Sequence, residues 1–185
     1  MMSSTLFWVV VVFTVCALIA WYLSYTAARL DRLHARVEGA LSALDAQLVR
    51  RAEATLELAN AGLLDPATAL LLAGAASESL DATDERQHGR EVVESGLTEA
   101  LTLALTPVVV AGLREDEAVG GMALRRVAAS GQRVQLARRF LNDAVIDVRR
   151  VRRKPTVTWF RLAGHAELPQ TFEIDDELPA PLREA

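Results

Sequence analysis

LFWVVVVFTVCALIAWYL, residues 6–23, holds no charged side chain and a single threonine, Thr14. At 1.5 Å rise per residue, eighteen residues of helix reach about 27 Å, close to the hydrocarbon thickness of a bilayer. Lipid offers no partner to backbone amides and carbonyls, so a run crossing it must be helical, despite the four valines at 9–12. Trp8 lies at one end, and Trp21, Tyr22 and Tyr25 lie at the other. Such rings, apolar in body and polar at the tip, favour the two headgroup layers. The stretch therefore predicts a single transmembrane helix, about 6–23, within an anchor of residues 1–25. Two other readings fit less well. A signal peptide has a basic start, which MMSST lacks, and a shorter apolar region, although Thr26-Ala27-Ala28 resembles a weak cleavage site. A core helix of a small domain is apolar along one stripe, not all round.

Orientation follows from the flanks. No Lys or Arg precedes the run, whereas Arg29, Arg32 and Arg36 follow it. Basic flanks stay cytoplasmic, which predicts a single-pass protein of the inner (cytoplasmic) membrane, its N-terminus outside and its C-terminal domain in the cytoplasm.

Beyond the anchor, Leu30, Leu33, Val37, Leu41, Leu44 and Leu48 recur at steps of three and four, one stripe of a helix that continues from the span. Gly62 is a natural stop, near Asn60. Asp65-Pro66 reads as an N-cap followed by proline at the first helical position, opening a short helix to about Leu80. Asp84-Glu85 can open a third helix, along which Val93, Leu97, Leu101 and Leu105 form an apolar line that Pro107 ends or kinks. After a glycine-containing stretch, a fourth helix should reach Arg153. Val127, Val134, Leu141 and Val148 repeat strictly every seven residues, with Leu124 and Val145 on the same side. The expected fold is all-α: the membrane helix, an antiparallel bundle of about four helices over 26–155, and a mostly irregular acidic tail over 156–185. A coiled coil is the alternative for the first stripe, whose spacing drifts from a strict heptad toward 3.6.

Composition narrows the chemistry. One cysteine, Cys16, inside the apolar run, excludes a disulfide framework, and His34, His88 and His165 show no metal-ligand spacing. No serine stands in a nucleophile turn, Val119-Gly120-Gly121-Met122 lacks a phosphate-loop Lys, and Asp175-Asp176-Glu177 lacks calcium-loop spacing. Neither a catalytic site nor a cofactor is expected. A net charge of -4 argues against nucleic acid as a partner. Charge is also segregated. Residues 114–161 hold twelve basic side chains against five acidic, while 78–99 and 165–185 are acidic, so the third helix and the tail are expected to neutralise the fourth helix.

Leu136–Pro155, LARRFLNDAVIDVRRVRRKP, resembles the signature of the LemA family of bacterial membrane proteins through Arg139, Asn142, Val145 and Pro155. Phe160, Gly164, Leu168 and Phe172-Glu173 are similar to that family's closing motif. Leu44, Gln47, Leu48 and Arg50-Arg51 are similar to its first-helix pattern, and Pro107 to a proline before its last long helix. Leu141 stands where the family has tyrosine, and no proline follows Arg51 closely. Arginine outnumbers lysine nineteen to one, a bias of GC-rich genomes that suggests an actinobacterial branch. The resemblance implies one anchor and a cytoplasm-facing helical bundle, and it implies no activity. Asn142, bordering the apolar stripe, is expected to hydrogen-bond a neighbouring segment and set register.

The function expected is therefore a membrane-anchored scaffold or adaptor without catalysis, with the lipid bilayer and a protein of unknown identity as partners. The alternative is a membrane-bound hydrolase with an unrecognised site. If the four helices alternate in direction, the end of the fourth returns to the bilayer with Arg149, Arg150, Arg152, Arg153 and Lys154, followed by Trp159 and Phe160. These residues are the candidate contacts to anionic lipid headgroups. Complementing a helix C-terminus in water is the competing role for the arginines.

Overall fold

The structure, a computed structural model, describes residues 2–82, 87–160, 164 and 167–183. The protein is all-α, with no strand among the described residues. Helix α1 runs unbroken over Met2–Asn60, and Gly62 at φ 73° turns the chain out of it. Helix α2 spans Pro66–Asp81. As its spacing predicts, Asp65 caps it: one carboxylate oxygen accepts from the amides of Ala67 and Thr68, each at 3.1 Å. The Thr68 side-chain hydrogen bond, followed by the Thr68 and Ala67 amides, holds the Asp65 carboxyl below the usual range. Helix α3 spans Gln87–Ala104; its proposed opening at Asp84-Glu85 lies outside the described residues.

Pro107 breaks the apolar line as expected, but a helix not anticipated from the sequence follows. Helix α4, Pro107–Glu115, is capped by Thr106 and turns away from α3 by 75°. A π-helical turn, Glu117–Gly121, then leads into α5, Met122–Arg152. Gly120 is needed in that turn, because a Cβ there would run into the Leu113 carbonyl oxygen. Two short helices complete the described chain: α6, Pro155–Trp159, and α7, Ala180–Arg183.

The chain divides into two compact units, Met1–Glu38 with Asp143–Gln170, and Gly39–Asn142 with Thr171–Ala185. In the second unit, Leu58, Leu72, Leu97, Leu105, Val110 and Val127 anchor the core, closed by Leu182 of α7. The seven-residue line of α5 is core throughout, since Val127, Val134, Leu141 and Val148 are all buried. On α1 the stripe holds at Leu30, Leu44 and Leu48, whereas Leu41 is exposed.

The tail is irregular over 167–179, as expected, yet residues 171–182 are packed rather than loose. Phe172, Ile174, Leu178 and Leu182 are buried, and Leu178 sits where Gly131 of α5 leaves room for it. Backbone groups of the tail bond to Ser95 and Thr98 of α3 and to Gln135 of α5. A segment without repeating structure is thus held through its own amides and carbonyls.

Candidate membrane-surface site

Of residues 6–23, all but Val11 and Leu23 are exposed, and none is buried. Thr14, the one threonine in the run, donates to the Val10 carbonyl at 2.8 Å, so its polar atom is satisfied within the helix. Phe7 and Trp8 meet edge to face, while Trp21 and Tyr25 stack with centroids 6.4 Å apart. This is one helix long and apolar enough to cross a membrane, and it lies next to the N-terminus.

Within the first unit, the end of α5 runs antiparallel to α1. Arg36 pairs with Asp147 at 3.5 Å; Leu30 packs with Val148, Val151 and Val157; Leu18, Ile19, Tyr22 and Leu23 share a pocket with Thr156 and Phe160. As the numbers fall along α1, they rise along its partner. The Lys154-Pro155 step lets the chain continue as α6, whose Val157 is buried and whose Trp159 is 88% exposed. An indole left this bare loses the burial that its large apolar body would ordinarily gain.

The structure divides the basic cluster. Arg149 and Arg152 turn to the returning chain, donating to the carbonyls of Pro169 at 2.9 Å and Glu167 at 2.8 Å. Both sit part-buried and help to hold residues 167–169. Arg150, Arg153 and Lys154 are exposed; Arg150 approaches Asp147 at 3.6 Å. The uniform set of seven candidate contacts therefore separates into a structural pair and an outward group of Arg150, Arg153, Lys154, Trp159 and Phe160.

Asn142 joins α5 to the tail. Its Nδ2 donates to the Phe172 carbonyl at 3.2 Å, and its Oδ1 accepts from the Phe172 amide at 2.9 Å. One side chain thus satisfies both backbone groups of one tail residue, which fixes the tail's register on α5.

The largest feature that sequence reasoning missed is a buried charge network in the second unit. Glu94 is fully buried and accepts from Arg51 at 2.8 Å, Arg90 at 2.9 Å and the Ser79 hydroxyl at 2.8 Å. Arg51 also bonds Thr98 and the Glu94 carbonyl. Burial pushes the nearby Asp45 carboxyl up; the Arg90 charge opposes that shift and the Glu94 charge adds to it. The expected neutralisation is corrected accordingly. The tail does pair with α5, through Arg138 and Asp176 at 2.6 Å, but the buried acid of α3 pairs with Arg51 of α1. A carboxylate beside the apolar line of α3, facing the Arg50-Arg51 pair, was the available signal.

Cys16 is exposed in the apolar run, and the side chains of His88 and His165 lie outside the described residues. Among the described residues, no group of three or more His, Cys, Asp or Glu side chains gathers as metal ligands would. Compared with protein-family models, curated proteins and solved structures, the chain matches none.

Proposed function

We propose that this chain is a membrane-tethered helical scaffold or adaptor, without catalytic activity of its own, in the manner suggested by the LemA resemblance. The observation that carries this reading is the antiparallel contact inside the first unit, where α6 and the end of α5 lie alongside the foot of the apolar run. With residues 6–23 across the bilayer, Arg29 and Arg32 of α1 and Arg150, Arg153 and Lys154 fall at one headgroup layer. Trp159 and Phe160 then meet the acyl boundary. Each cation near an anionic leaflet contributes about 1 kcal/mol of attraction. The protein is thus held by a span and by a second, basic and aromatic contact. Its N-terminus faces outward and the second unit lies in the cytoplasm.

Support for a non-catalytic role is the internal use of the polar side chains. Glu94, Arg51, Arg90, Asn142, Arg138 and Asp176 are all engaged in holding helices or tail together. Reporter fusions after residue 185 test the orientation: green fluorescent protein should fluoresce and alkaline phosphatase should stay inactive. The reverse pair overturns the orientation. Reproducible turnover by the purified full chain in a broad hydrolase screen overturns the scaffold reading in favour of a membrane-bound hydrolase.

A further inference from the structure

The outer face of α2 and α3 carries two adjoining grooves that share Gly96, Glu99 and Leu103, with volumes of about 400 and 830 Å³. Four large apolar side chains stand out along them: Leu70 at 75% exposure, Val92 at 69%, Leu103 at 63%, and Leu71. Single exposed leucines are ordinary, but a contiguous apolar strip rimmed by polar groups marks an interaction surface. The rim is acidic. Glu78 and Glu99 flank the shared section, and Glu91, Glu173 and Asp175 line the larger groove. Glu78 and Glu99 have no ion pair among the described residues, in contrast to the fully engaged Glu94.

Two glycines sharpen the picture. Gly74 and Gly96 lie inside α2 and α3, where glycine weakens a helix, and both line the grooves. Neither has positive φ, and a Cβ at either would meet nothing within 4 Å. The fold therefore does not require glycine at these positions. Their effect is to leave a smooth channel that another backbone can approach closely.

We infer that this face docks a cationic amphipathic helix of a partner protein, its apolar side chains seated between Leu70, Leu71 and Leu103 and its Lys or Arg side chains set against Glu78 and Glu99. Charge selects this occupant. A second copy using the same face would oppose like carboxylates, and an anionic bilayer would be repelled by them. Along α3 the two grooves run from Glu91 to Leu103, about 18 Å, enough for apolar anchors at i, i+4 and i+7 of a docked helix. The inference deepens the scaffold reading by giving the scaffold a partner chemistry.

The test uses the full chain in phosphatidylcholine nanodiscs and two labelled eighteen-residue helical peptides. One has leucines at i, i+4 and i+7 with lysines elsewhere; the other has glutamates in place of the lysines. Fluorescence anisotropy is read against empty nanodiscs. The lysine peptide should bind, the glutamate peptide should not, and Glu78→Gln with Glu99→Gln should weaken binding about tenfold. Gly96→Leu should abolish binding while leaving the melting temperature unchanged or raised, since leucine favours helix and meets no obstacle there. Failure of the lysine peptide to bind, equal binding by the Gly96→Leu chain, or equal binding of both peptides overturns the inference. So does self-association that Gly96→Leu disrupts. None of these results bears on turnover in the hydrolase screen, so failure of the groove and failure of the scaffold reading are separately visible.

Discussion

Residues 6–23 and residues 44–59 belong to one uninterrupted helix and face opposite demands. In the first stretch no side chain is buried and nearly all are apolar; in the second, Leu44, Leu48, Ala52 and Leu58 are fully buried, Arg50, Glu53 and Glu57 are exposed, and Arg51 is buried only with its partner Glu94. Backbone hydrogen bonding is the same in both. What differs is the medium each surface needs: partner helices for a stripe, and lipid, on the proposed reading, for an all-round apolar rod. Helical continuity therefore says nothing about burial, and the pattern of side chains says nearly everything.

The sharpest break of this contrast is at the charged heart of the second unit. Glu94→Ala leaves Arg51 and Arg90 buried without their carboxylate, and should destabilise the chain by about 3–5 kcal/mol in denaturant melts of the detergent-solubilised protein. Next comes one substitution made twice on α1. Leu48→Ala should cost about 2–4 kcal/mol, because Leu48 is fully buried. Leu6→Ala, on the exposed apolar run and away from α6, should leave the same melt unchanged. Equal losses at the two positions would show that the run is packed inside the protein.

A smaller effect is expected where the tail is tied down. Asn142→Ala removes both bonds to Phe172 and should cost about 1–3 kcal/mol, with faster amide exchange at residues 171–176. Unchanged exchange there would show that buried Phe172 and Leu178 hold the tail without the amide. The smallest effect is pH-dependent. Burial raises the Asp45 carboxyl, so its protonated form favours the fold below the ordinary carboxylate pKa, and that contribution is lost as pH rises through the raised value. Asp45→Asn should therefore melt slightly higher than the native chain at pH 7, and the difference should close in acid. A gap that widens in acid would reverse the sign.

The legible parts of the fold were those written within one helix. Val127, Val134, Leu141 and Val148 could be read as core because a seven-residue repeat needs no knowledge of its partner. Asp65 and Gly62 could be read because a cap and a left-handed turn are local. Helix α4 and the π-helical turn were hidden, since the Gly120 position is dictated by its close approach to Leu113. Glu94 was hidden for a related reason: its three partners come from α1, α2 and its own helix, and only tertiary packing assembles them. The basic end of α5 was legible as a cluster but not as two groups. Carbonyls of an aperiodic segment draw Arg149 and Arg152 inward, and no repeat in the sequence announces where such a segment will pass.

The proposed bilayer contact is tested most directly by the depth of Trp159. In the full chain with Trp8→Phe and Trp21→Phe, Trp159 is the remaining tryptophan, and it lies just past the outward cations Arg153 and Lys154. Reconstituted into vesicles containing anionic lipid brominated near the headgroup end of the acyl chain, its fluorescence should be strongly quenched. Replacing Arg150, Arg153 and Lys154 by glutamine should weaken that quenching, while melting is unchanged. Emission characteristic of water, with no quenching by brominated lipid in either chain, would contradict the contact between α6 and the membrane.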